Sequence, residues 1–229
     1  LIGTAGVSSI SPSASNQTVT LSASEAKQIG DLTDSSNKLA LNFTLSGAAS
    51  FVQAAALIGN TSGTVVLNSA GINDDIANFV NNDPGTSAAT DISNNYKTVR
   101  AADPDANLTI TGFTNPVTNH EMNAINLIAA KTTGVITASF TTSAANAALL
   151  NKSNWTTNNS TIGSDPLTVT VSNAMSVQAF ENLDELTNQN ITLTVGITDS
   201  LSALYSGTDL TAGIKEAVAD DSDITIEIN

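Results

Sequence analysis

The chain has 229 residues, enough for one large domain or two ordinary ones, and its aromatic fraction of 4% leaves Ala, Val, Ile and Leu to build the core. Its formal net charge of −14, from 7 basic and 21 acidic residues, disfavours nucleic acid and anionic membranes as partners. The sequence has no cysteine, which excludes disulfides, thiolate catalysis and Cys-based metal sites.

Short runs in which apolar and polar residues alternate predict eight β-strands. In chain order the runs lie at residues 18–21, 39–45, 64–67, 107–111, 135–140, 167–171, 191–195 and 224–228. Each run has one apolar face and one face of Thr, Ser or Asn.

Segments with helical spacing of apolar residues lie between these strands. They are residues 23–32, 51–58, 72–80, 122–128, 174–186 and 210–218. Small polar residues such as Ser22 precede many of them and are reasonable N-caps. The longest apolar run, residues 51–58, is too short to cross a membrane, so we expect no membrane insertion.

The alternation of strands and helices predicts an α/β fold with parallel strands and right-handed crossovers. Because the strands have one polar face, we expect a right-handed solenoid of β-α repeats with a single parallel sheet, helices on one face and an exposed Thr/Ser-rich face. The predicted organisation is a linker or cap at residues 1–16 and a tandem β-α repeat domain at residues 17–229. An irregular stretch at residues 83–106, with Pro84 and Pro104, interrupts the rhythm and is either a degenerate repeat or a surface excursion.

The second half of the sequence resembles a family of surface proteins. The segment LTVTVSNAMSVQAFENLDELTNQNITLTVGITDSLSALYSG, and Ile197-Thr198-Asp199-Ser200-Leu201 within it, resembles the degenerate tandem repeats of very large bacterial surface proteins, including cyanobacterial ones. The resemblance spans roughly residues 17–229 as a pattern of residue types. It implies export and a role similar to that of adhesins, S-layer-like coats or secreted calcium-dependent repeat proteins. The glycine-rich nonapeptide that binds calcium in RTX proteins is absent from this sequence.

The polar strand faces form the first candidate site. If the apolar residues point inward, outward-facing hydroxyl ladders run through Thr109, Thr111, Thr137, Thr168, Thr170, Thr192 and Thr194. A flat array of this kind could bind ice, a glycan or a mineral. The alternative is that Thr is simply a favourable residue on an exposed strand face.

Acidic clusters and the single histidine give the other candidate chemistry. Asp220, Asp221 and Asp223 place three carboxylates in one loop, so calcium is the candidate cofactor, against the alternative of a plain acidic turn. Scarce aromatics disfavour a glycosidase. His120 could serve a Ser-His-Asp arrangement, although its place at the start of a helix is also typical of an ordinary capping neighbour.

We therefore interpret the chain as a non-catalytic structural or adhesive segment of an extracellular, cell-surface protein. Its expected partners are copies of itself or other repeats of the same parent protein. The last strand, with Ile224, Ile226 and Ile228, is a candidate edge for self-assembly. The alternatives are a binding module that uses the Thr face for ice, glycan or mineral, or a virion or phage-tail component.

Overall fold

The structure, a computed structural model, describes residues 17–32, 38–67, 69–150, 152–155 and 163–229. The predicted linker or cap at residues 1–16 lies outside these residues. The described part is a mixed α/β fold in which every long-range strand pairing is parallel. This confirms the α/β class and the parallel strands predicted from the sequence.

The strands of the described residues are short. They are β1 (Thr18–Leu21), β2 (Asn42–Leu45), β3 (Val65–Val66), β4 (Ile72–Asp75), β5 (Leu108–Thr111), β6 (Ile136–Thr142), β7 (Leu167–Val171), β8 (Thr192–Leu193), β9 (Ile197–Asp199), β10 (Tyr205–Ser206), β11 (Asp209–Leu210) and β12 (Ile226–Ile228). Eight of these twelve overlap the predicted runs of alternating residues, and β4, β9, β10 and β11 lie outside them.

The helices lie between strands, and several are single turns. They are α1 (Ala23–Leu32), α2 (Phe51–Asn60), α3 (Ile76–Phe79), α4 (Asn94–Ala102), α5 (Asn119–Ala129), α6 (Ala144–Ala147), α7 (Lys152–Trp155), α8 (Val177–Asp184), α9 (Leu201–Leu204) and α10 (Ala212–Asp220). None of them is long and apolar enough to cross a membrane.

The parallel strands of the described chain form three sheets, where the sequence predicted one. Their orders are β1-β2-β3, β4-β5-β6-β7-β8 and β9-β12, and β10 and β11 form a separate antiparallel hairpin. The division arises because some connections hold two extended segments. β2 pairs with β3, but Ala49, just beyond the bend that follows β2, forms an isolated bridge with Ile72 at the start of β4. Met175 forms a similar bridge with Ile197.

Alternation along the strands decides which side chains are buried. In β7, Leu167, Val169 and Val171 are fully buried, whereas Thr168 is exposed and Thr170 is half-buried. The buried side chains of strands and helices form one continuous apolar cluster. Most members are aliphatic, as the composition predicted, because burial of apolar area is the main favourable term in folding.

An aromatic cluster joins three helices near the N-terminal half of the core. The ring centroids of Phe51 and Phe79 lie 4.7 Å apart with an edge-to-face geometry, and Tyr96 lies 5.1 Å from Phe51. All three side chains are almost fully buried. Phe51 opens α2, Phe79 closes α3 and Tyr96 lies in α4, so this cluster fixes the position of the helices that follow β4.

Polar side chains define where the helices begin. Ser50, Thr118, Ser143 and Ser176 each accept a hydrogen bond from a backbone N–H in the first turn of the helix that follows. At Ser50 and Thr118 the side chain of the third helical residue also accepts a hydrogen bond from the backbone N–H of the capping residue, which completes a capping box. These caps satisfy N–H groups that the helix itself cannot pair.

One prediction for the middle of the chain was wrong. The helix predicted at residues 72–80 begins as the strand β4, and only residues 76–79 are helical, because Ile72 pairs with both Leu108 and Ala49 and Asp75 caps the helix. The stretch at residues 83–106, where the rhythm of the repeats is interrupted, contains α4. Tyr96 and Val99, three residues apart, bury one side of that helix.

Candidate functional site

The seven threonines of the predicted binding face lie along the exposed side of the five-stranded sheet and just beyond β8. Each is exposed or half-buried, whereas its neighbours in the strands are buried. Thr109 is the register partner of Thr137, and Thr170 is the partner of Thr192. These pairs place hydroxyl groups side by side on neighbouring strands, about 4.8 Å apart.

Part of this face is a shallow, partly open groove. A groove of about 440 Å³ is lined by Thr109, Thr111, Thr137, Ser139 and Thr168, together with the apolar residues Phe113 and Pro166 and nearby backbone. It crosses β5, β6 and β7. Thr170, Thr192 and Thr194 lie outside it, so the structure brings together only four of the seven predicted threonines in one concave site.

The hydroxyl groups of the face differ in their hydrogen-bond partners within the protein. Thr111 donates to the backbone carbonyl of Asp74 at 3.0 Å, and Thr194 donates to that of Val171 at 2.9 Å. Within the part of the chain that the structure describes, the hydroxyls of Thr109, Thr137, Ser139 and Thr168 make no hydrogen bond. Four hydroxyl groups in the groove are therefore available to a ligand or to water.

Carboxylate and amide groups continue the ladders at the β4 side of the groove. Asn73 is the register partner of Thr109, and Asp75 is that of Thr111. The Asp75 carboxylate lies directly against Gly112, where φ is +76° and a Cβ would come within 1.8 Å of its Oδ2. Only glycine fits that position, since both the backbone conformation and the carboxylate exclude a side chain.

The three aspartates predicted to bind calcium are engaged elsewhere. Asp220 accepts a hydrogen bond from the backbone N–H of Ile191 at 2.9 Å, and Asp221 accepts one from that of Leu193 at 2.8 Å. A hydrogen bond between Asp221 and Asp223 lowers the pKa of Asp221 and raises the pKa of Asp223. These carboxylates satisfy backbone N–H groups around β8, and Asp221 and Asp223 share a hydrogen bond.

No group of three or more His, Cys, Asp or Glu side chains is arranged to hold a metal ion within residues 17–32, 38–67, 69–150, 152–155 and 163–229. His120 is half-buried at the start of α5, and its side chain makes no hydrogen bond with any described residue. Its neighbour Glu121 is buried and receives hydrogen bonds from Thr114 and Thr118. That carboxylate therefore fixes the entry to α5.

The predicted assembly edge is an edge strand. β12 pairs in parallel with β9, with Ile226 opposite Ile197, and its other edge has no partner among the described residues. Ile224 and Ile226 are half-buried, and Ile228 is 63% exposed. Close by in the chain, the exposed side chains of Leu201 and Tyr205 line a shallow apolar depression.

Sequence reasoning missed one set of polar residues, the buried threonines that follow α2, α5 and α8. Thr61, Thr132 and Thr187 are at most 7% exposed, and each hydroxyl accepts a hydrogen bond from the backbone N–H two residues later. Two of them also donate to carbonyl groups of the preceding strand region. The recurrence of Thr shortly before a strand, twice as Thr-x-Gly, was the available signal.

Comparisons with family models, with curated proteins and with solved structures find no match for this chain.

Proposed function

We propose that this chain is a non-catalytic structural segment of an extracellular surface protein, built as a solenoid whose successive strand–helix turns are tied together by one recurring set of polar bonds. The single observation that carries the proposal is a side-chain-to-backbone bond that occurs three times in the same geometry. Such recurrence is typical of a chain that gains length by stacking similar units.

The first tie joins a residue within or just beyond one strand to the start of an earlier helix. Side-chain oxygens of Asp74, Asn173 and Asp199 accept from the first helical N–H of α2, α6 and α8, at 2.9, 2.8 and 3.1 Å. In every case the two residues lie two positions beyond a register pair. The same bond therefore recurs at three joints between paired segments.

The second tie is the buried threonine at the end of a helix. The Thr61 hydroxyl lies 2.9 Å from the carbonyl oxygen of Leu39, and the Thr187 hydroxyl lies 3.0 Å from that of Asp165. The donating threonine follows the residue with the accepting carbonyl by 22 positions in both cases. The threonine joins the end of a helix to the backbone of the segment before that helix, and so stiffens the stack.

Charge and composition support a role outside the cell. The surface carries most of the acidic residues, and only 7 basic residues oppose them. Stability rests on the aliphatic core and backbone ties, without disulfides. The resemblance to tandem repeats of bacterial surface proteins points in the same direction.

The exposed edge of β12 supports self-association as the way in which such a segment acts. An unpaired parallel strand presents N–H and C=O groups at the spacing that another strand requires. Ile226 and Ile228 add apolar side chains to that edge. The expected partner is a second copy of the chain or another unit of the same parent protein.

Negative-stain electron microscopy of the purified chain and of two variants tests this proposal. We expect end-to-end assemblies with an axial repeat of roughly 40 Å, the length of about eight strands at 4.8 Å. Ile226→Lys should abolish them, and Val52→Lys, at a half-exposed apolar residue on α2, should not. Monomers of the native chain at high concentration, or filaments that survive Ile226→Lys, would contradict the assembly role.

A further inference from the structure

We propose that the groove across β5, β6 and β7 binds an extended, neutral polysaccharide chain. This binding function goes beyond the proposed structural role and does not depend on self-assembly, because the groove lies on the five-stranded sheet and the assembly edge is β12. The groove is the concave part of the hydroxyl face, and its shape distinguishes it from the rest of that face.

The hydrogen-bonding groups of the groove match a sugar. Thr109 and Thr137 form one register pair, and Ser139 and Thr168 form another, so four hydroxyls lie in two neighbouring rows across the strands. None of the four is hydrogen-bonded within the described chain. Each hydroxyl can donate and accept, as a sugar hydroxyl also does.

The direction of the rows favours a chain-like ligand. Each row runs across strands that lie about 4.8 Å apart. This spacing is close to the advance of one sugar unit along an extended polysaccharide. A concave groove also suits a single polymer chain better than the flat surface of ice or of a mineral.

Apolar surface is present at the two ends of the groove. Phe113 follows β5, and its ring centroid lies 5.3 Å from that of the buried Phe140, which holds it in place. Pro166 precedes β7. The two residues therefore lie toward opposite ends of the strands, and their faces can pack on the C–H faces of sugar rings while the threonines bind hydroxyls.

The charges in and around the groove favour a neutral polymer over an anionic one. No residue that lines the groove is charged. Asp75 places a carboxylate against Gly112 at the rim, and the chain as a whole carries a net charge of −14. An anionic polysaccharide would meet repulsion there and no compensating Lys or Arg.

The test uses the full chain and three neutral probes, cellohexaose, mannohexaose and xylohexaose, in isothermal titration calorimetry. The groove variant is the triple substitution Thr109→Val, Thr137→Val and Thr168→Val, which removes three hydroxyls and keeps side-chain shape and strand preference. The matched control is Thr20→Val, Thr44→Val and Thr192→Val, three strand threonines outside the groove. Thermal unfolding of both variants checks that the fold is intact.

We expect at least one hexasaccharide to bind, the groove variant to bind it at least about tenfold more weakly, and the control to change affinity by less than about twofold. The proposal is overturned if no hexasaccharide binds at millimolar concentration, if the two triple variants weaken binding equally, or if the groove variant binds as the native chain does. Inhibition of ice recrystallisation without saccharide binding would assign the face to ice and would also overturn it. Filament formation is measured in the same samples, and its loss would concern only the structural role.

Discussion

Asp199 accepts a hydrogen bond from the backbone N–H of Val177 at 3.1 Å, across two chain segments that pair in register two residues earlier, at Met175 and Ile197. The carboxylate thereby satisfies the first N–H of α8, which no intrahelical partner can reach. Asp74 does the same for Phe51, and Asn173 for Ala144. These three side chains hold the joints between neighbouring segments.

Replacing Asp199 separates the role of its oxygen from the role of its charge. Asp199→Ala removes the acceptor for Val177 and for Ser200, and should lower the free energy of unfolding by about 1–2 kcal/mol. Asp199→Asn keeps an acceptor oxygen, as Asn173 does at its own joint, and should cost less than half as much. Urea unfolding at pH 7 measures both. Equal losses in the two variants would assign the effect to charge.

The buried hydroxyl of Thr187 should matter more than an exposed one. Thr187→Val removes the acceptor for the N–H of Gln189 and the donor to the carbonyl oxygens of Asp165 and Leu167, and should destabilise the fold by about 2–3 kcal/mol. Thr192→Val, on an exposed strand position, should change the unfolding free energy by less than about 0.5 kcal/mol. Similar small changes at both sites would show that Thr187 does not tie the segments together.

We expect a Gly→Ala substitution to have opposite effects on stability at two positions. Gly71 has φ of +55°, and a Cβ there would lie 1.9 Å from the carbonyl oxygen of Asn107, so Gly71→Ala should cost more than about 2 kcal/mol. Gly59 lies in α2 with open space around it, so Gly59→Ala should stabilise the fold by about 0.5–1 kcal/mol. Thermal or urea unfolding distinguishes them, and a tolerated Gly71→Ala would mean that β4 and β5 approach less closely.

We expect removal of the Asp184 charge to raise the stability of the fold in a pH-dependent way. Burial, and then the nearby charges of Asp220, Glu216 and Glu185, raise its pKa in the folded protein. The ionised carboxylate therefore destabilises the fold above that pKa, and the penalty disappears as pH falls through the folded pKa toward the unfolded value.

Asp184→Asn should therefore raise stability at pH 7, by less than about 1 kcal/mol because the site is only partly buried, and the gain should vanish near pH 3. Asp209→Asn is the matched control. Its ion pair with Lys215 lowers the pKa of Asp209, so its loss should give no gain at pH 7. A stability gain for Asp184→Asn that is independent of pH would contradict the assigned cause.

Much of the fold could be predicted because the strand pattern is local. The alternation Leu167, Val169, Val171 is legible in the sequence, and its burial follows directly. Residues 72–80 were misassigned because Ile72, Ile76 and Phe79 fit a helical stripe as well as a strand followed by a turn. The pairing of Ile72 with Leu108, 36 residues away, settles that choice, and no local pattern carries it.

The candidate sites were predictable in part for the same reason. The outward face of the threonines follows from alternation, but the groove depends on how Phe113 and Pro166 flank β5 and β7. Asp220 and Asp221 were assigned to calcium because three nearby carboxylates predict a cation. The calcium assignment stays a prediction, and the hydrogen-bond donors to these two carboxylates, the N–H groups of Ile191 and Leu193, lie about thirty residues away in the sequence.

The stacking of neighbouring strands in one register is tested most directly by disulfide mapping, since the native chain has no cysteine to interfere. Thr109→Cys with Thr137→Cys joins a register pair, where Cα atoms about 4.8 Å apart permit a disulfide. Thr109→Cys with Thr168→Cys spans two strands, roughly 10 Å, and does not permit one. Under mild oxidation of the folded protein we predict a disulfide in the first variant and none in the second. Failure of the first pair to close, or equal closure of both pairs, would contradict the stacked arrangement on which the proposed function rests.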